Sequence, residues 1–286
     1  MIELLIEPLK YDYMMNAILV SSLVGAICAF LSCYVIMRGW SLIGDALSHS
    51  IVPGVAGAYM LGLPFTIGAF ISGTAAAIAM LYLNEKTNLK EDAIIGIIFT
   101  SFFAIGLFII SVSPSPINIQ TIILGNILSI TPLDTLQLII ISAITLLILI
   151  LKWKDLMLLF YDENYAHSIG LNVKVLKLIF FILLSVTTVA AMQTVGAFLV
   201  IAMVVTPGAT AFLITDKFSK LIIISLIVGI FSCAFGTYIS YFVDGATGGV
   251  IILIQTILFL FAFLFSPKYG YLWKFISKEE LGDKNV

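Results

Sequence analysis

The stretch Gly39-Trp-Ser-Leu-Ile-Gly-Asp-Ala-Leu-Ser-His-Ser-Ile-Val-Pro-Gly54 is built for the inside of a membrane, yet it carries two ionisable groups, Asp45 and His49. On a helix, residues i and i+4 stack on one face, so the carboxylate and the imidazole are expected to share the same space. Each must overcome a burial cost of about a few kcal/mol unless something compensates it. Three readings stand open on the residues alone. Asp45 caps a helix and His49 is a hydrogen-bonded interior residue; or Asp45 pairs with Arg38; or the two offer one oxygen and one nitrogen to a divalent cation. Two ligands are too few for a site, but a homodimer with its two-fold axis along a pathway would supply four.

Working outward, the chain has 286 residues, 61% of them hydrophobic and 10% charged, which excludes an ordinary soluble domain. Apolar runs recur at close to the ~20 residues that a helix needs to cross hydrocarbon. The short alternating segments of a barrel are missing. The expected fold class is therefore all-α, a polytopic membrane protein of about eight to nine helices. The segments fall at roughly 14–37, 42–62, 65–83, 93–112, 134–151, 174–192, 195–214, 221–243 and 250–266. The stretch 113–133, which opens with Ser113-Pro-Ser-Pro116, is expected to be a loop or a re-entrant half-helix.

Lysine and arginine concentrate in alternate connections: Arg38, Lys86 and Lys90, Lys152 to Lys177, Lys217 and Lys220, and the tail from Lys268. By the excess of positive charge inside, these face the cytoplasm, and nine spans place the N-terminus outside. Net charge is −2, so no basic surface points to nucleic acid. Cys28, Cys33 and Cys233 lie in apolar runs and read as core residues. The acidic N-terminus lacks a small-residue cleavage site, unlike a secretory signal. With no linker or repeat, residues 1–286 read as one transmembrane domain, with a long cytoplasmic loop at about 155–173 and a cytoplasmic tail at about 267–286.

That loop holds the second constellation, Phe160-Tyr-Asp-Glu-Asn-Tyr-Ala-His-Ser-Ile-Gly-Leu-Asn-Val173. Asp162 suits an N-cap, Glu163 the start of the helix dipole and Gly170 the residue after the last turn, so about two turns of helix are predicted. Such a helix is either a plain connector or an element that docks on a soluble motor, with small Ala166 and Gly170 allowing close approach. His167 reads as a surface residue. Elsewhere, Thr206-Pro-Gly208 should kink or interrupt a span, and Gln193 and Gln255 can hydrogen-bond across helices. Asp244 to Gly249 reads as an outer loop, and Gly54, Gly57, Gly68 and Gly73 as close-packing positions.

The run Arg38-Gly-Trp-Ser-Leu-Ile-Gly-Asp-Ala-Leu-Ser-His-Ser-Ile-Val-Pro-Gly-Val-Ala56 resembles the signature of the membrane permeases of bacterial metal-ion ABC importers. Similarity continues through Ile94 to Ile97, Leu124 to Leu128, the Asp162 to Gly170 loop, Met192 to Gly196 and Met203 to Ala211. The wording around Gly39 to Pro64 is most like the chelated iron and manganese branch. The resemblance implies a permease subunit, not itself an enzyme, for ATP-driven import of Mn²⁺ or Fe²⁺ across the bacterial inner membrane. Asp45 and His49 would contact the ion. The loop with Asp162, Ala166 and Gly170 would be the coupling helix that rests on the ATPase. It further implies no resident cofactor, with the transported ion as cargo and ATP on the partner. The partners would be a second copy of the chain, an ATPase dimer, an extracytoplasmic metal-binding protein and membrane lipid. A zinc-specific permease of the same family is the first alternative, an ion-coupled metal carrier the second. Because imidazole binds metal only when neutral, transport is expected to fall in acid. The absence of Gly-x-x-x-x-Gly-Lys-Ser/Thr agrees with energy supplied from outside the chain.

Overall fold

The computed structural model describes residues 6–40, 42–112, 130–266 and 270, with Gln193 and Thr194 described by backbone only. Among these residues every regular element is helical. A 3₁₀ turn at Glu7–Lys10 is followed by α1 (Asp12–Arg38), α2 (Ile43–Ser50), α3 (Val52–Met60), α4 (Phe65–Lys86), α5 (Glu91–Val112) and α6 (Pro132–Tyr161). Then come α7 (Glu163–Ser168), α8 (Val173–Val195), α9 (Ala197–Ile214), α10 (Phe218–Val243) and α11 (Thr247–Phe265). Eight of these helices are long and apolar enough to cross a membrane. The expected features in 113–129, in the tail beyond Ser266 other than Gly270, and at the Gln193 side chain lie outside the described residues.

Three expectations change. The span expected at 42–62 is two short helices, α2 and α3, of 8 and 9 residues. Pro53 sits at the second position of α3 and has no N–H to give the His49 carbonyl, so the hydrogen-bond ladder breaks at Ile51. Ser72 of α4 donates its hydroxyl to the Ser50 carbonyl at the break, at 2.6 Å. The loop expected from 155 begins only at Asp162, because α6 runs on through Lys152, Lys154 and Phe160 to Tyr161. Pro207, in contrast, does not interrupt α9.

The chain divides into two compact units, Met37–Ala202 and the pair of segments Met1–Ile36 and Met203–Val286. In the second of these, small and hydroxyl-bearing residues let the helices approach closely, as packing without a hydrophobic driving force requires. A Cβ on Gly25 of α1 would stand 2.6 Å from Cys233 Sγ and 2.7 Å from the Gly229 carbonyl oxygen of α10. Ser225 donates to the Ala29 carbonyl at 2.8 Å, and the Ser21 and Thr237 hydroxyls pair at 2.9 Å. Ser32 serves the backbone around Pro207, donating to the Val205 carbonyl at 3.0 Å and accepting from the Gly208 N–H at 2.9 Å. Gln255 bridges α11 to Ser232 of α10 at 3.1 Å, as its position in the sequence led us to expect.

In the Met37–Ala202 unit, α3 crosses α4 at Gly54 and Gly68, where neither position has room for a Cβ beside the other's carbonyl. Gly106 of α5 lies against α3, a Cβ there meeting Val52 Cγ1 at 2.7 Å and Pro53 N at 2.9 Å. Gly73 of α4 faces Ser185 of α8. Gly57 faces open space instead, so it is not one of the packing glycines.

Candidate functional site

Helix α2 is enclosed on nearly every side: of its residues, only Asp45 and His49 are not buried. Their side chains are 38% and 26% exposed respectively, and Oδ1 of Asp45 lies 3.3 Å from Nε2 of His49. The one open stripe of this helix is thus its acid and its imidazole, one turn apart. The imidazole is held from the other side by α5, at 5.5 Å from the Phe99 ring and edge-on at 5.2 Å from Phe103. These rings fix its orientation without using either nitrogen.

Neither of the other readings of Asp45 describes this geometry. The N-cap of α2 is Leu42, which makes no side-chain cap, and Asp45 sits inside the first turn. Arg38 is directed elsewhere, its Nη2 2.8 Å from Glu163 Oε2. The chain stops α1 at Arg38, turns through Gly39 at φ +74°, a left-handed value that favours glycine, and enters α2 through Trp40. Trp40 is fully enclosed, with its indole N–H donating to Glu91 of α5. Among the described residues no third histidine, cysteine or acid joins Asp45 and His49.

The segment from Asp162 to Gly170 folds as its residues predict. The Asp162 side chain accepts from the Tyr165 N–H at 2.9 Å and starts α7. At the other end, Gly170 takes φ +89°, and the Gly170 and Leu171 N–H groups bond back to the His167 and Ala166 carbonyls at 3.1 Å each, a Schellman closure. Ala166 is completely buried within the chain, whereas His167 is exposed. Tyr165 of α7 and its neighbours Tyr161, at the end of α6, and Ile169, just past α7, are open to the surroundings, at 55%, 82% and 52% exposure.

The sequence pattern of the ABC 3 transport family matches residues 10–266, nearly the whole described chain. The chain belongs to that family. A chelated iron transport system membrane protein of Yersinia pestis is 58% identical over 95% of this chain and 92% of its own length. A manganese transport system membrane protein of Synechocystis is 47% identical, over 94% of this chain and 88% of its own. Among solved structures, PsaBC from Streptococcus pneumoniae in complex with Fab superposes with a TM-score of 0.82 at 36% identity, covering 95% of this chain and 99% of that one. This ABC 3 transport protein is accordingly a multi-pass permease of the bacterial inner membrane without catalytic motifs.

Sequence reasoning missed the surroundings of both short helices. Phe99 and Phe103 follow α2 by some fifty residues and look like ordinary membrane apolar residues. Glu163 reads as a dipole-complementing acid, but it also bridges two cations, Arg38 at 2.8 Å and Lys177 Nζ at 2.7 Å. Burial alone would raise the Glu163 pKa; the Lys177 contact, followed by that of Arg38, outweighs it and holds the carboxyl below its ordinary value. No periodicity signals such a bridge.

Proposed function

We propose that this chain is the transmembrane permease subunit of an ATP-driven importer of divalent metal ions, Mn²⁺ or Fe²⁺, and that it forms the translocation path as a dimer. One observation carries the reading: the single open stripe of an otherwise enclosed membrane helix presents a carboxylate oxygen and an imidazole nitrogen 3.3 Å apart. Such a pair suits a first-row divalent ion, and a discontinuous helix is a common place for transporters to bind cargo. The names of the relatives favour iron and manganese. Two donors per chain leave the site half-built, so a second copy related by a two-fold axis supplies the other Asp45 and His49. Binding must be weak enough for release, which an open, incomplete donor set provides.

At the cytoplasmic side, Asp162 and Gly170 fix the ends of α7 as the helix that meets an ATPase dimer. The exposed Tyr161, Tyr165 and Ile169 form its contact surface, and Ala166 supports it from within by letting α7 lie close on its own chain. An extracytoplasmic metal-binding protein delivers the ion, and the exposed apolar helix faces meet lipid.

The test is ATP-dependent Mn²⁺ uptake by proteoliposomes holding this chain, its ATPase and its binding protein, with wild type beside Asp45→Ala. Uptake by wild type and none by the variant, with ATP hydrolysis retained, is the expected result. Equal uptake by both overturns the assignment of Asp45 to the ion path.

A further inference from the structure

The end of α1, separated by four residues from the helix that carries Asp45 and His49, meets the short helix α7. Glu163, the first residue of α7, has Oε2 2.8 Å from Arg38 Nη2 and Oε1 2.7 Å from Lys177 Nζ. Arg38 ends α1, and Gly39 and Trp40 lead directly from it into α2. A Cβ on Gly39 would meet nothing within 4 Å, so its left-handed φ, not packing, is what calls for glycine.

A second contact runs beside the first. Phe160, two residues before the Asp162 cap, stands edge-on to Trp40 at 5.5 Å between ring centroids, and the Arg38 guanidinium lies 6.0 Å from the Phe160 ring. Phe180 and Phe181 of α8 close the cluster around Trp40 at 6.3 and 5.1 Å. The root of α2 is therefore held by α7 through an ion pair and by the residues leading into α7 through a ring contact.

The bridge differs from a surface pair of the same unit in its cations. Lys174 and Glu85, 2.9 Å apart, are 76% and 41% exposed, and such pairs contribute little. Glu163 is as exposed as Glu85, at 39%, but Arg38 and Lys177 are only 22% and 12% exposed, so solvent screens their side of the bridge less.

We infer that Arg38 and Glu163 are the linkage that passes displacement of α7 to the helix bearing Asp45 and His49, acting as positioning residues for the ion path. The inference rests on the function proposed above. Movement of α7 by an ATPase pulls on Glu163, Glu163 carries Arg38, and rotation at Gly39 re-aims α2. Lys177 braces Glu163 against α8 and lies outside this route.

The experiment uses the complete importer in proteoliposomes and reads Mn²⁺ moved per ATP hydrolysed. Arg38→Gln is expected to lower that ratio about tenfold, within the 5–150-fold range typical of coupling between sites, with ATP hydrolysis within about twofold of wild type. Glu163→Gln, which keeps the side chain's shape, is expected to do the same and serves where Arg38→Gln does not assemble. Lys177→Gln removes an equally short contact to Glu163 and should leave the ratio within about twofold of wild type. If Lys177→Gln lowers it as far as the other two, the effect is general loosening of α7 and the linkage is wrong. An unchanged ratio in the Arg38 and Glu163 variants, while Asp45→Ala in the same preparation abolishes uptake, overturns the linkage and leaves the ion path standing. Normal uptake by Asp45→Ala removes both.

Discussion

Two short helices of this protein carry the same pattern, an acid in the first turn and a histidine four residues later: Asp45 and His49 in α2, Glu163 and His167 in α7. In α2 everything is buried except that pair, and the two groups face one another at 3.3 Å. In α7 nearly everything is exposed except Ala166; Glu163 turns both oxygens to Arg38 and Lys177, and His167 points outward. Identical spacing thus gives a mutually paired acid and imidazole in one place and a bracket plus a surface residue in the other. The i, i+4 rule says which side chains share a face; what encloses the rest of the helix decides what that face does.

The comparison breaks first at the two acids and histidines themselves. Asp45→Ala should cut Mn²⁺ uptake by at least about 100-fold, the upper end of what even the outer partners of metal ligands contribute, and His49→Ala should impair it without preventing assembly. His167→Ala, in the matching position, should leave uptake within about twofold; a loss like that of His49→Ala would mean that the two helices are not different in kind.

The second contrast is in what holds each helix. The α2–α3 region depends on close packing, so Gly106→Val, which crowds Val52 and Pro53, should destabilise the protein by about 1–3 kcal/mol in a thermal unfolding assay. Helix α7 depends on its caps, and Asp162→Ala should cost about 1 kcal/mol, seen as faster hydrogen exchange of the first α7 amides with little change elsewhere. Exchange rates in α7 that match wild type would show that the Arg38 and Lys177 contacts alone fix it.

The smallest effect is in acid. Because the folded-state pKa of Glu163 is held below the ordinary glutamate value by Lys177 and Arg38, its stabilising contribution is present above that ordinary value and is lost only as pH falls through the lower folded one. The bracket on α7 should loosen at a lower pH than the one at which a free glutamate takes up its proton. A carboxyl-carbon resonance of Glu163 titrating at or above the ordinary glutamate value would show that the two cations do not hold it.

What the sequence disclosed and what it concealed follow one division. Local rules read α7 correctly from its ends, since Asp162 and Gly170 act within a few residues of themselves. They read the broad membrane fold for the same reason. They did not show how either proline is accommodated, because that depends on a neighbouring helix. Pro207 stays within α9 with Ser32 bonded to the adjoining backbone, 173 residues away in the chain at Val205, whereas Pro53 coincides with a break whose Ser50 carbonyl is taken by Ser72. The bridge from Arg38 to Glu163 spans 125 residues and was equally invisible.

The crossing of α3 and α4 at Gly54 and Gly68 has a consequence for the variation this protein can tolerate. Each glycine is required by the other's carbonyl, so a side chain at one position cannot be accommodated by any change at the second, which has nothing left to shrink. In a randomised library of this pair, selection for folded protein should return a single solution, and natural descent through sequence space has no compensating double step to take there.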